Sequence, residues 1–154
     1  MLHNTLASKV ASIRKEKDAE DRGFTLIELL VVVVIIGILI AIAIPLYLNY
    51  QKGAKDKSAQ SDLRAAVSSM QQCFTDNNSF YPASLSLASS TYTPSAAGCS
   101  TDVINVSSGT TLTYVPGPAS CTDATCTSFV MTSTNSGGNG KTYTYDSTKG
   151  GQIG

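Results

Sequence analysis

The chain has 154 residues, a formal net charge of zero, 42% apolar side chains and 14% charged ones. This length fits one domain, or one small domain with an extension. From Phe24 onward six Lys/Arg face seven Asp/Glu, which excludes a dedicated nucleic-acid surface, because that would need clustered basic residues.

Residues 1–23 read as a leader. They hold five basic side chains (Lys9, Arg14, Lys15, Lys17, Arg22) and four acids, with no apolar run that could fold alone. Residues 24–48 are different. Glu28 is their only charged side chain, and it is the only glutamate after Gly23. As a helix this segment reaches roughly 38 Å, against a bilayer hydrocarbon core of about 30 Å. From Leu29 to Ile44 it is Leu, Val, Ile and Ala with one Gly. In lipid the backbone must satisfy its own hydrogen bonds, so a single span has to be helical. Gly37 and Pro45 are points where such a helix can kink or unwind. A carboxylate in a membrane helix costs roughly 2.5–3.5 kcal/mol near the centre and less toward an end. Glu28 therefore calls for a partner.

Past Leu48 the polarity changes but the helical period continues. Ala59, Leu63, Ala66, Val67, Met70 and Phe74 form one apolar stripe, with Lys57, Asp62, Arg64 and Gln71 expected on the other face. Asp76-Asn77-Asn78-Ser79 stops the pattern. Residues 82–109 read as a loop-like connection with no strong period. Strand signals follow at 110–115, closed by Pro116-Gly117-Pro118, then at 127–132 and 141–145 around a Gly/Asn-rich turn. The expected class is α+β: a long N-terminal helix, membrane-spanning in its first half and amphipathic in its second, packed on a small antiparallel sheet.

No catalytic constellation is present. Beyond the leader there is no His, there is no Trp, and no motif places a base beside a hydroxyl. The expectation is a non-enzymatic protein with no cofactor. Asp62, Asp76, Asp102, Asp123 and Asp146 read as solvated or turn-forming. Asn77-Asn78-Ser79 and Asn105-Val106-Ser107 match the glycosylation triplet, a weak pattern. Tyr47 and Tyr50 fit an interfacial belt, and Phe74 fits packing. Cys73, Cys99, Cys121 and Cys126 are an even set in a Ser/Thr/Gly-rich region, which reads as two disulfides in an oxidising space. That places the C-terminal side outside the cell. A metal site is disfavoured because the only histidine is His3, at the far end.

Three readings compete for the N-terminal segment. A secretory signal would use Ala41-Ile42-Ala43 as its cleavage site, but the polar segment is long, it carries four acids and the apolar run is overlong. A plain single-span anchor explains the length but not Gly23 followed by a lone Glu28. The third is a resemblance. Gly23-Phe24-Thr25-Leu26-Ile27-Glu28-Leu29-Leu30-Val31-Val32, with Gly37 and Pro45 downstream, resembles the class III signal of type IV prepilins. Residues 142–153 also resemble pilin C-termini, less specifically. The leader is longer and more acidic than the short basic leaders most familiar in that family.

The resemblance implies that a prepilin peptidase cuts between Gly23 and Phe24 and that the new Phe24 amine is N-methylated. Glu28 would pair with the Phe24 amine of a neighbouring subunit, and Gly37 and Pro45 would let the helix stretch or melt during assembly. The domains would be a leader (1–23), a transmembrane and filament-core helix (24–48) and an extracellular head (49–154) whose helix runs to about 76. The partners would be membrane lipid before assembly, the inner-membrane pilus machinery, and further copies of the same chain. The precursor would sit in the cytoplasmic membrane and the product in a surface pilus, or fimbrium, serving adhesion, motility or DNA uptake. The cysteines allow three connectivities; with the family in view, Cys121–Cys126 and Cys73–Cys99 are expected. Alternatives are a pseudopilin of a type II secretion or competence machine, and a membrane-anchored adhesin that never polymerises.

Overall fold

The computed structural model describes residues 24–88, 90–96, 99 and 103–150. The expectations for the leader with His3 and Gly23, for Asp102 and for residues 151–153 lie outside the described residues. The chain divides after Pro45 into two compact units. Helix α1 spans Leu26–Asp76, and it is followed by β1 (Leu85–Ala88), β2 (Thr91–Pro94), β3 (Ile104–Asn105), β4 (Thr110–Gly117), β5 (Ser128–Asn135) and β6 (Thr142–Asp146). A 3₁₀ turn, Ser147–Lys149, closes the described chain. The class is α+β, as the period analysis predicts.

In the first unit every residue from Phe24 to Pro45 is exposed, and the helix continues through both Gly37 and Pro45. Proline removes one intrahelical hydrogen bond and crowds the preceding turn, yet the α-helical assignment is unbroken there.

In the second unit the amphipathic part of α1 buries Ala59, Leu63, Ala66, Val67, Met70 and Cys73. Phe74 is half-buried. Alanines at 59 and 66, both with no exposed surface, let the helix backbone approach the strands closely. The helix ends in a left-handed cap: Asn78 and Ser79 have φ of 50° and 65°, and Ser79 N–H donates to Phe74 C=O at 2.9 Å. Asparagine tolerates this region better than most residues.

β4, β5 and β6 form an antiparallel meander in that order. Pairs such as Leu112↔Ser133 and Ser133↔Tyr143 set its register. β5 alternates strictly, turning Phe129, Met131, Ser133 and Asn135 inward. With Leu112, Tyr143 and Tyr145 these strands meet the helix stripe in one core, which Tyr92 and Ile104 complete. β4 runs past the predicted stop to Gly117, because it is an edge strand and tolerates Pro116 there. On its outer side, Leu112 N–H donates to Tyr92 Oη at 3.0 Å.

Two expectations are corrected. Residues 82–109 are not simply a loop: β1, β2 and β3 form a second antiparallel sheet, with Leu85↔Pro94 and Tyr92↔Ile104 in register. These strands have only two to four residues, too few for a period-2 pattern to emerge. Asp62 is not on the solvated face. It is buried, and it accepts Ser107 N–H at 2.9 Å and the Ser107 hydroxyl at 3.1 Å.

Both expected disulfides are present. Cys73–Cys99 has a Cα–Cα distance of 4.9 Å and Cys121–Cys126 one of 5.0 Å, inside the usual range. The first ties the end of α1 to the connection between β2 and β3, and the second closes a tight loop before β5.

An aromatic chain runs Phe74–Tyr81–Phe129–Tyr145, with Tyr114 stacked on Phe129 at 5.7 Å between centroids. The Tyr114 hydroxyl donates to Pro82 C=O at 2.7 Å. Burial first, then Tyr81 and Asp123, hold this phenol well above the ordinary tyrosine range. The sign follows directly. The folded form keeps the proton that an unfolded tyrosine loses near about pH 10. Its stabilising contribution is complete below that pH and disappears as pH rises toward the raised value. Urea unfolding of the full chain in detergent should show stability falling above about pH 10. Tyr114→Phe should lose about 1 kcal/mol at neutral pH through its missing hydrogen bond and should show a shallower alkaline fall.

Candidate functional site

The start of α1 combines two features. Between Phe24 and Tyr50, twenty large apolar side chains are exposed. At roughly 1.5–3 kcal/mol for each such side chain removed from water, they represent tens of kcal/mol of unmet burial. A helix apolar on every side belongs in lipid or inside an assembly. α1 is long and apolar enough to cross a membrane.

The second feature is how the helix begins. Thr25 N–H donates to Glu28 Oε2 at 2.9 Å and the Thr25 hydroxyl donates to the same oxygen at 2.8 Å. In return Glu28 N–H donates to Thr25 Oγ1 at 3.3 Å. This is a capping box, in which residue and cap satisfy each other's orphan donors. Glu28 also sits where the helix dipole favours a negative charge. Among the described residues only Oε2 is engaged. Phe24, four residues earlier, is 81% exposed, and Phe24, Ile27, Glu28, Val31 and Val32 line one shallow groove.

Of the residues singled out from the sequence, Phe24, just ahead of α1, and Glu28, in its first turn, therefore line one groove, Gly23 lies outside the described residues, and Gly37 and Pro45 lie within the apolar helix. The four cysteines are all in the second unit. Among the described residues no three His, Cys, Asp or Glu side chains cluster as metal ligands.

The sequence reading missed Thr25, although Thr25-x-x-Glu28 is a legible capping signature. It also missed three structural carboxylates. Asp56 is 2% exposed and accepts Asn139 N–H and Asn139 Nδ2 at 3.0 Å each. Gly138 passes so close that a Cβ there would overlap Asp56 Oδ1. Asp62 holds Ser107. Asp123 accepts Ala83 N–H and the Ser95 hydroxyl at 2.6 Å each, while its carbonyl accepts Asn77 Nδ2 at 2.7 Å. A strict 3.6 period places 56 and 62 beside the apolar stripe, but their polarity argues against burial unless loop donors are known.

Residues 19–44 match the prokaryotic N-terminal methylation motif. The chain is 43% identical over 60 residues to the type IV major pilin protein PilA of Myxococcus xanthus, covering 39% of this chain and 27% of that protein. It is 46% identical over 55 residues to the type IV major fimbrial protein FimA of Dichelobacter nodosus, covering 36% and 35%. It is 40% identical over 58 residues to the type II secretion system core protein G of Pseudomonas aeruginosa, covering 38% and 41%. The aligned part thus spans less than half the length of these curated relatives. No solved structure matches the chain. The resemblance to type IV prepilins is shown, and it rests on the methylation motif and these partial alignments.

The capping box carries its own test. Thr25→Ala in the detergent-solubilised chain should weaken the first turn by about 1 kcal/mol, read as about fivefold faster amide exchange at Glu28 and Leu29. Thr25→Ser should restore slow exchange; equal rates in all three chains would contradict the box.

Proposed function

We propose that this chain is a structural, non-enzymatic subunit of a type IV pilus. The match of residues 19–44 to the methylation motif carries the reading, because it falls where one carboxylate opens a membrane-length apolar helix. A prepilin peptidase cuts between Gly23 and Phe24, and the new amine is N-methylated. The subunit waits in the cytoplasmic membrane with its cysteine-containing head outside. The inner-membrane assembly machinery then draws it into a helical surface filament. Contacts between copies run head to tail without closing into a ring, so the fibre grows.

In that fibre the Phe24 ammonium of one subunit pairs with Glu28 of its neighbour. Burying either charge alone is expensive, roughly 3–5 kcal/mol when one partner is removed. A pairing of this kind fixes the position of each incoming subunit. Gly37 and Pro45 are where α1 yields if it has to stretch on entry.

A second reading has a specific observation behind it, the 40% identity to core protein G. In that reading the same N-terminal chemistry builds the pseudopilus of a secretion machine. Sheared surface fibres made mostly of this chain favour the pilus; their absence, with secretion impaired in a deletion strain, favours the pseudopilin. Uncut chain that stays monomeric in the membrane favours a non-polymerising adhesin.

Gly23→Val should leave full-length precursor in the membrane. Immunoblotting and N-terminal sequencing would check this, and a normal start at Phe24 in the variant would refute the processing reading. Glu28→Ala should still be cut but should lower fibre yield by at least about tenfold in shearing assays. Wild-type yield would refute the pairing.

A further inference from the structure

Directly after the apolar run, α1 carries Tyr47, Tyr50, Lys52, Lys55 and Lys57, all exposed. The sequence alone suggests that this charge is partly cancelled. Lys52 and Asp56 stand at i, i+4, the spacing of a helical ion pair. In the fold that acid makes no ion pair with Lys52. Asp56 is turned inward with both oxygens taken by Asn139, and Asp62 is turned inward onto Ser107. The only ion pair among the described residues is Lys149–Asp146, and Lys57 Nζ reaches just the Gln60 side-chain oxygen at 3.1 Å. From Tyr47 to Gln71 every exposed charge is therefore positive: Lys52, Lys55, Lys57 and Arg64.

At 100° per residue Lys52 and Lys55 stand about 60° apart on one side of the helix and Lys57 lies across from them, so the three cover two sides of it. Lys52, Lys55 and Lys57 stand roughly 6, 10 and 14 Å beyond Leu48 along the axis. The polar layer on each side of a bilayer is roughly 5–8 Å deep, and its surface field reaches about a further 8–10 Å. All three fall inside that range, just beyond a pair of tyrosines suited to the interface. Cations on two sides of the helix, none of them paired with Asp56, are complementary to a surface of phosphates beside the helix.

We propose that Lys52, Lys55 and Lys57 form a collar that binds the phosphates of anionic phospholipids where the helix leaves the bilayer, and so sets the depth of the unassembled subunit. This rests on the reading that residues 24–48 span the membrane before assembly.

The test uses the full chain reconstituted into phosphatidylcholine vesicles containing a quarter phosphatidylglycerol. After an alkaline carbonate wash and gentle detergent extraction, retained lipids are counted by native mass spectrometry. The wild type should retain phosphatidylglycerol over phosphatidylcholine by at least about tenfold more than the vesicle composition, and high salt should erase this. The K52Q/K55Q/K57Q variant should lose the preference, and Lys149→Gln should keep it. Embedded wild-type chain without lipid preference overturns the collar alone. Chain that washes off overturns the spanning reading and the collar with it. A triple variant that keeps its lipid preference but forms no fibres also overturns the collar, and assigns these lysines to a contact between subunits.

Discussion

A helix that is apolar on every side has to be surrounded, and this requirement governs the rest of the molecule. From Phe24 to Leu48 no described residue of the chain covers α1. Lipid meets the need, and so does a bundle of identical helices. The two environments are nearly equivalent for Leu, Ile and Val side chains, so moving from one to the other gains little from the hydrophobic effect. The apolar surface can therefore keep the subunit in either place but cannot choose between them or set a register. In the proposed assembly that selectivity falls to the carboxylate of Glu28, the only charged side chain of the run.

The head faces the opposite problem. Its core is a single layer of aliphatic and aromatic side chains between one helix face and two short sheets. Chains of this size bury limited apolar area, and the long connections around the sheets carry backbone donors that need acceptors. Three aspartates supply them. Asp56 holds the turn between β5 and β6, Asp62 holds the approach to β4, and Asp123 gathers residues 83 and 95. Two disulfides fix the same connections. Because Asp56 and Asp62 face inward, every exposed charge on α1 between Tyr47 and Gln71 is positive. Surface charge here is a consequence of how the loops are satisfied.

The legible parts of the sequence were those with a long period or a strong local code. The stripe from Ala59 to Met70 repeats over three turns, and β4 to β6 are flanked by turn residues, so their pairing was expected. β1 to β3 were hidden because strands of two to four residues are too short to show alternation. Asp62 was misplaced because a carboxylate argues for solvent until Ser107, forty-five residues away, is known to donate to it. Thr25 was readable in principle. A lone carboxylate in an apolar run signals a charge partner more strongly than it signals a cap.

That geometry changes how the proposed pairing works. If Glu28 were free in the unassembled chain, pairing with a neighbouring amine would have to order a flexible side chain, at roughly 0.5–1.5 kcal/mol. Thr25 has already ordered it: two donors hold Oε2, and the first turn of the helix depends on the same contact. Oε1 has no partner among the described residues, so an ammonium can bind there through a charge-assisted hydrogen bond without breaking the capping box. The acceptor is thus prepared before its partner arrives, in a medium where an unprepared charge would be costly. Under this assembly Thr25 acts on the subunit interface through Glu28 and needs no contact with the neighbouring chain.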